Sequence, residues 1–85
     1  MKAITIDCTG MQSKEQLHRA FASALSFPAW YGNNLDALHD CLTNVCEPTR
    51  ISLPGFRELG SFALGFRLVL EDAEAENDCL IIDIL

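Results

Sequence analysis

The last seven residues, Cys79 to Leu85, read CLIIDIL, and this run restricts the folds open to the chain. A near-continuous apolar segment of strand length, without strict alternation, suits a strand buried on both faces, as in a parallel sheet. Parallel strands need crossover connections, usually helices, so the preceding sequence should alternate between the two. It does. Lys2 to Asp7 reads as a first strand with Ile4 and Ile6 on one face, and "RISL" at 50–53 as a second, closed by Pro54-Gly55.

Between these strands the apolar period changes from two to 3.6. "SKEQ" has the form of a capping box, with Ser13 as N-cap and Gln16 three residues on. Leu17, Ala20, Phe21, Ala24 and Leu25 then make a core-facing helical stripe, which Phe27-Pro28 should end. A loop over 28–33 follows, and Asn34 is placed to cap a second helix running to about Asn44. Its apolar face is Leu35, Leu38, Leu42 and Val45. Glu47-Pro48-Thr49 should turn the chain. Phe56 to Glu76 is helical in pattern, as a short turn to Leu59 and a longer helix from Ser61. Phe62, Phe66, Val69 and Ala73 form one stripe of that helix, while Leu64 and Leu68 lie opposite and suggest packing on a second face. The expected fold is α/β: one domain over residues 1–85, with a small three-stranded parallel sheet packed with about four helices.

Composition fits a folded globule, 49% apolar, with no run near the ~20 residues of a membrane span. The start, MKAITIDCTG, lacks the apolar stretch of a secretory signal, so a cytoplasmic location is expected. The four cysteines form no C-x-x-C pair and only His18 and His39 could join them, which disfavours a zinc site. Cys8, Cys41 and Cys79 read as reduced core residues. His18, beside the core position Leu17, reads as a surface residue.

The net charge is −6, the wrong sign for a protein that binds nucleic-acid phosphates. No Lys or Arg occurs between Arg19 and Arg50, yet Asp36, Asp40 and Glu47 lie in that gap. A solvated acidic surface would account for this, and so would a field that draws in a basic partner. Catalysis has little to work with. His39 and Cys41, two apart on a helix, point about 200° from one another, and the chain has neither a Walker A loop nor G-x-G-x-x-G. Asp36 and Asp40, four apart, share a helix face and could in principle hold magnesium, but no other polar motif supports a metal site. Neither an enzyme nor a cofactor is expected. The wet face of the second helix carries Asn33, Asp36, Asp40 and Thr43, with His39 at its border. "AWYG" leads directly into it. Tyr31 is the candidate for the core, leaving Trp30 as an exposed anchor of the type enriched at interface hot spots.

Across LSFPAWYGNNLDALHDCLTN the sequence resembles the barstar family of intracellular ribonuclease inhibitors. The shared pattern is two aromatics and a glycine, then Asn-Leu-Asp-Ala-Leu and Asp-Cys-Leu-Thr. Weaker similarity runs through "KAI", "LH" at 17–18 and the C-terminal segment. The resemblance implies a three-stranded parallel sheet and a function in which the second helix and its preceding loop plug a ribonuclease active site. It implies that Asp40 is the dominant active-site carboxylate and Asp36 its partner. It places Trp30 where a contacting aromatic, usually tyrosine, is found, and Gly32 and Asn34 in the loop that fits the enzyme. Thr43 falls at a contacting hydroxyl and Asp72 where an acid, typically glutamate, reaches the enzyme from the side. The chain departs from the pattern with His39 and Val45 in place of tryptophans, Asn33 in place of glutamate and Asn44 in place of glycine. His39 and Asn44 then belong to an altered interface rim. The expected partner is a ribonuclease of barnase type or a related basic ribonuclease toxin, with no nucleic acid or membrane bound, the free protein being monomeric. The alternatives are an acidic binding module of the same fold for another basic protein, and a small enzyme using Asp36, Asp40 and a metal.

Overall fold

The computed structural model describes residues 1–85. Strands β1 (Lys2–Thr5), β2 (Thr49–Leu53) and β3 (Leu80–Ile84) form a parallel sheet in the order β1-β2-β3. Ile4, Ile51 and Ile82 stand in register across it. Pairing continues beyond β1, because Ile6 N–H donates to Ser52 O and Cys8 N–H to Pro54 O. The helices are α1 (Lys14–Leu25), α2 (Leu35–Thr43) and α3 (Leu64–Glu76).

Three α-helices correct the expectation of about four. The segment after Pro54-Gly55 forms only two single 3-10 turns, Phe56–Glu58 and Ser61–Ala63. Leu59 and Gly60, both extended, end the first turn, while the second runs on directly into α3. The doubly buried β3 is a second correction. The face holding Ile4, Ile6, Ile51, Leu53 and Leu80 packs against the helices, with Ile6, Ile51, Leu53 and Leu80 buried. No residue of the opposite face is fully buried, and Arg50 and Asp83 pair there at 2.7 Å. Ile81 on that side is half-covered, which explains why the sequence did not alternate cleanly.

Local chemistry starts each helix. Ser13 Oγ accepts from Gln16 N–H at 3.3 Å, and Gln16 Oε1 accepts from Ser13 N–H in return at 3.2 Å. The helix ends one residue before Phe27-Pro28, at Ser26 in the left-handed region, whose N–H donates to Ala22 O. In α3, Phe66, Leu70 and Ala73 are buried and Val69 is half-buried, as is Phe62 in the 3-10 turn before it. Leu64 and Leu68 are 62% and 58% exposed, so the second apolar side of α3 packs on nothing. Gly65 lets α3 approach α2, since a Cβ there would lie 2.8 Å from Leu35 Cδ1.

Three side chains, His18, Cys41 and Cys79, are placed otherwise than the sequence suggested. His18 is 2% exposed, with Nδ1 hydrogen-bonded to the Tyr31 hydroxyl at 2.5 Å and its ring against Phe66. Cys41 and Cys79 are half-buried, and only Cys8 is wholly enclosed, its thiol pushed up to about 11 by burial and by Asp7. All four thiols are free. Glu74 does not simply face solvent, because its Oε2 accepts from Ile82 N–H at 2.6 Å on the outer edge of β3. That bond satisfies a donor that an edge strand would otherwise expose.

Asn77, just after α3, closes the layer. Its Nδ2 donates to the carbonyls of Leu42 and Val45 at 3.0 and 2.9 Å, covering the C-terminal end of α2, while its Oδ1 accepts from Cys79 N–H. Asn77→Ala should cost about 1–3 kcal/mol, the range for leaving part-buried partners unpaired. Asn77→Asp should be at least as harmful, since it sets a carboxylate oxygen against those carbonyls. Urea unfolding checks both, and wild-type stability in either variant would remove the bridging role.

Desolvation lowers the pKa of His18, with Lys14 adding to the effect and Glu15 opposing it. The unfolded chain therefore takes up a proton at this residue before the folded one does. Stability should hold above about pH 6.5 and fall as the pH drops below it, by at most ~1.4 kcal/mol per pH unit for this one proton. His18→Gln keeps a hydrogen-bonding side chain beside Tyr31 without the titration. Unfolding compared at about pH 7 and pH 5.5 should show a smaller loss in the variant than in wild type. Equal losses would assign the dependence to other groups.

Candidate functional site

The site is built from the loop over 28–33 and the outer face of α2. Tyr31 N–H donates to Pro28 O at 2.9 Å, folding the loop into a turn. Tyr31 itself is 9% exposed, its ring against Phe27 and its hydroxyl held by His18. Burial pushes its hydroxyl up to about 12, so it stays protonated. With one aromatic taken into the core, its neighbour is turned outward: Trp30 is 65% exposed. The expected division, Tyr31 in the core and Trp30 exposed, is the one observed.

Asn33 takes a left-handed backbone with φ 52°, a conformation asparagine tolerates better than most residues. Asn34 follows as the N-cap of α2, its Oδ1 accepting from Ala37 N–H at 2.8 Å. At Gly32 a Cβ would lie 3.0 Å from Asn34 Nδ2, so the glycine leaves room for the capping amide. The loop therefore ends in a fixed register, and α2 begins at a defined residue.

Leu38 and Leu42 are fully buried beneath α2, and Leu35 is half-buried. Asn33, Asp36 and Asp40 are exposed on the far side. Neither the Asp36 nor the Asp40 carboxylate receives a hydrogen bond or salt bridge from within the chain, where the pairs are His39–Glu76, Arg50–Asp83 and Arg67–Glu71. One turn apart, the two carboxylates add like charges on one face, which costs a helix about 0.2–0.5 kcal/mol. Asp36, in the first turn, recovers part of this from the helix dipole.

The other candidates divide in two. Thr43 is half-buried and its hydroxyl donates to His39 O at 2.9 Å, so it is left to accept only. Asn44 is exposed, its Nδ2 donating to Asp40 O at 2.8 Å and its Oδ1 unoccupied. His39 is half-buried, with Nε2 2.9 Å from Glu76 Oε2 on α3, and so joins the two helices rather than standing free. Asp72 is exposed on α3, one turn before Glu76. It lies on the helical line of Gly65 and Glu76, both of which contact α2.

Sequence reasoning missed the supports behind this face: His18, Glu76 and Asn77. His18 was within reach, because a buried tyrosine hydroxyl requires a polar partner. Glu76 and Asn77 act across helices, and spacing alone carries no sign of them. No group of three or more His, Cys, Asp or Glu side chains is placed to hold a metal ion. No helix is long and apolar enough to cross a membrane. The arrangement is suited to presenting two uncompensated carboxylates, an indole and asparagine amides on a braced surface, to a partner that supplies the cations.

The sequence profile of the family described as "Barstar (barnase inhibitor)" matches residues 1–79. A Bacillus subtilis (strain 168) protein named "Putative ribonuclease inhibitor YrdF" is 38% identical over 81 residues, covering 89% of this chain and 89% of its own. With the match reaching through all three helices and the central strand, the chain belongs to the barstar family.

Proposed function

We propose that the protein inhibits a ribonuclease of barnase type, or a related basic ribonuclease toxin, by laying α2 and the loop before it over the enzyme's cationic active site. The observation that supports this best is the pair Asp36 and Asp40, exposed on a braced helix with no cation of their own. An enzyme that cleaves RNA must gather positive groups around a phosphate, and a carboxylate on a rigid helix can take that phosphate's place. Charge-assisted hydrogen bonds to several such groups, formed as water is excluded, give a strong contact. Asp40 is the central carboxylate and Asp36 the second. Trp30, Gly32 and Asn34 fill the side of the loop, Thr43 and Asn44 accept at the end of the helix, and His39 and Asp72 form the border with α3.

The excess of acidic residues supplies the second half of the mechanism. A net charge of −6 draws a basic enzyme in over distances longer than contact, raising the association rate in a salt-dependent way. The reading also accounts for the binding face keeping its unfavourable charges. They cost stability in the free chain and are neutralised only in the complex. The inhibitor works in the cytoplasm, in this reading, as an immunity protein for a cell exposed to the ribonuclease.

The test is affinity for a ribonuclease encoded or co-purified with the protein. Asp40→Ala should weaken binding most, by about 2–5 kcal/mol, because it leaves enzyme cations buried and unpaired. Asp36→Ala should rank second, and Trp30→Ala should also show a measurable loss. Asp78→Ala, exposed at the α3–β3 turn, should lower mainly the association rate and its salt dependence. Glu74 is unsuitable as a surface control because it bonds Ile82 N–H. Titration calorimetry with matched unfolding curves decides the matter. If Asp40→Ala and Trp30→Ala both fold and bind as wild type, this face is not the inhibitory surface.

A further inference from the structure

Between the first turns of α1 and the start of α2 lies a small open pocket that shares Asn34 and Asp36 with the inhibitory face but whose Lys14 and His18 the inhibitor reading does not use. Lys14 and His18 reach it from successive turns of α1, Asn33, Asn34 and Asp36 from the approach to α2, and Phe66 stands behind. His18 is its key residue. The ring is 2% exposed and its Nδ1 is committed to the Tyr31 hydroxyl. That hydroxyl has no other partner, so its proton lies in the shared bond, Nδ1 accepts, and the neutral ring carries its own proton on Nε2.

Nε2 has no partner within the chain, yet no side-chain nitrogen or oxygen sealed from solvent is left unpaired. Nε2 therefore keeps contact with solvent, and His18 lines this pocket. Two more donors sit beside it, the N–H groups of Leu35 and Asp36, which lead α2 and find no acceptor in the chain. The positive end of the helix dipole adds to them. Lys14 makes no salt bridge. Against these donors stands one acidic lining residue, Asp36.

We propose that this pocket binds a single compact oxyanion, a carboxylate or phosphate group, held by Lys14, by His18 Nε2–H and by the leading N–H groups of α2. The chemistry is that of anion capture at a helix N-terminus, reinforced by an imidazole donor that has no partner within the chain. Asp36 sets the preference. It repels a phosphate dianion more than a singly charged carboxylate, so a carboxylate binds more tightly. The site does not depend on the ribonuclease reading, because its donors are not those of the acidic face.

The test is an NMR titration of the isotope-labelled full chain near pH 7, with sodium acetate and sodium phosphate in separate arms and sodium chloride at matched ionic strength as reference. Saturable shifts are expected at the Leu35 and Asp36 amides and at the His18 ring nitrogens, at lower concentration for acetate than for phosphate. Lys14→Ala removes an exposed side chain and should leave the fold intact while weakening binding about fivefold, the upper effect of one partly solvated charge pair. Lys2→Ala, distant on β1, should change nothing. Shifts no larger than those in chloride, or shifts that survive Lys14→Ala undiminished, overturn the proposal. Tighter binding of phosphate than acetate overturns the role given to Asp36. No ribonuclease enters the measurement, so a negative result leaves the inhibitor reading as it stands.

Discussion

The hydrogen bond between His18 and the Tyr31 hydroxyl is the contact on which the presented surface depends. It joins a buried side chain of α1 to the middle of a loop that has no regular structure of its own. Burying a tyrosine hydroxyl or an imidazole without a partner would be costly, so each makes the other admissible. The consequence is geometric. With Tyr31 drawn inward against Phe27 and His18, the chain direction leaves Trp30 pointing to solvent and delivers Asn34 to the start of α2. A loop fixed in this way loses little freedom when it meets a partner, and such preorganisation raises affinity without a single added contact.

Helix α2 is braced from α3 along its whole length. At its start Leu35 meets Gly65, in its middle His39 pairs with Glu76, and at its end Asn77 takes up the free carbonyls. Nine residues make a helix too short to be stable alone, so its position is a tertiary property. The fully buried Leu38 and Leu42 supply the attraction, and the three cross-helix contacts set the rotation that aims Asp36 and Asp40 outward. The same design explains why those carboxylates can be left without cations. The surrounding contacts outweigh the few tenths of a kcal/mol their repulsion costs.

Much of this was legible where the causes are local. The Ser13–Gln16 box, the Asn34 cap and the division of labour between Trp30 and Tyr31 all follow from residues a few positions apart. The unclear parts are those decided at a distance. Nothing in the sequence around Glu74 marks it for a partner, which β3 supplies in the N–H of Ile82. CLIIDIL looked buried on both sides because its apolar run continues through Ile81, yet no layer covers that face. The helical stripe of α3 was read one position off at Val69, and the buried residue is Leu70. A rotation of that size depends on where α2 and the sheet lie, which the helix's own sequence does not contain.

Within the barstar resemblance, the departures fall into a pattern once the side chains are placed. The residues that differ, Asn33, His39, Asn44 and Val45, lie around the two aspartates rather than among them. His39, standing where the family pattern has tryptophan, is drawn sideways to Glu76 and strengthens the frame instead of extending the surface. On the inhibitor reading, the centre of the interface then carries the charge recognition that any RNA-cleaving site would accept. The rim carries the differences that separate one enzyme from another. Hot-spot energy concentrates at such a centre, whereas discrimination comes from what the surrounding shape admits or rejects. On the same reading, keeping Asp36 and Asp40 while altering their neighbours fits a partner that shares the cationic chemistry of an RNA-cleaving site and differs in outline.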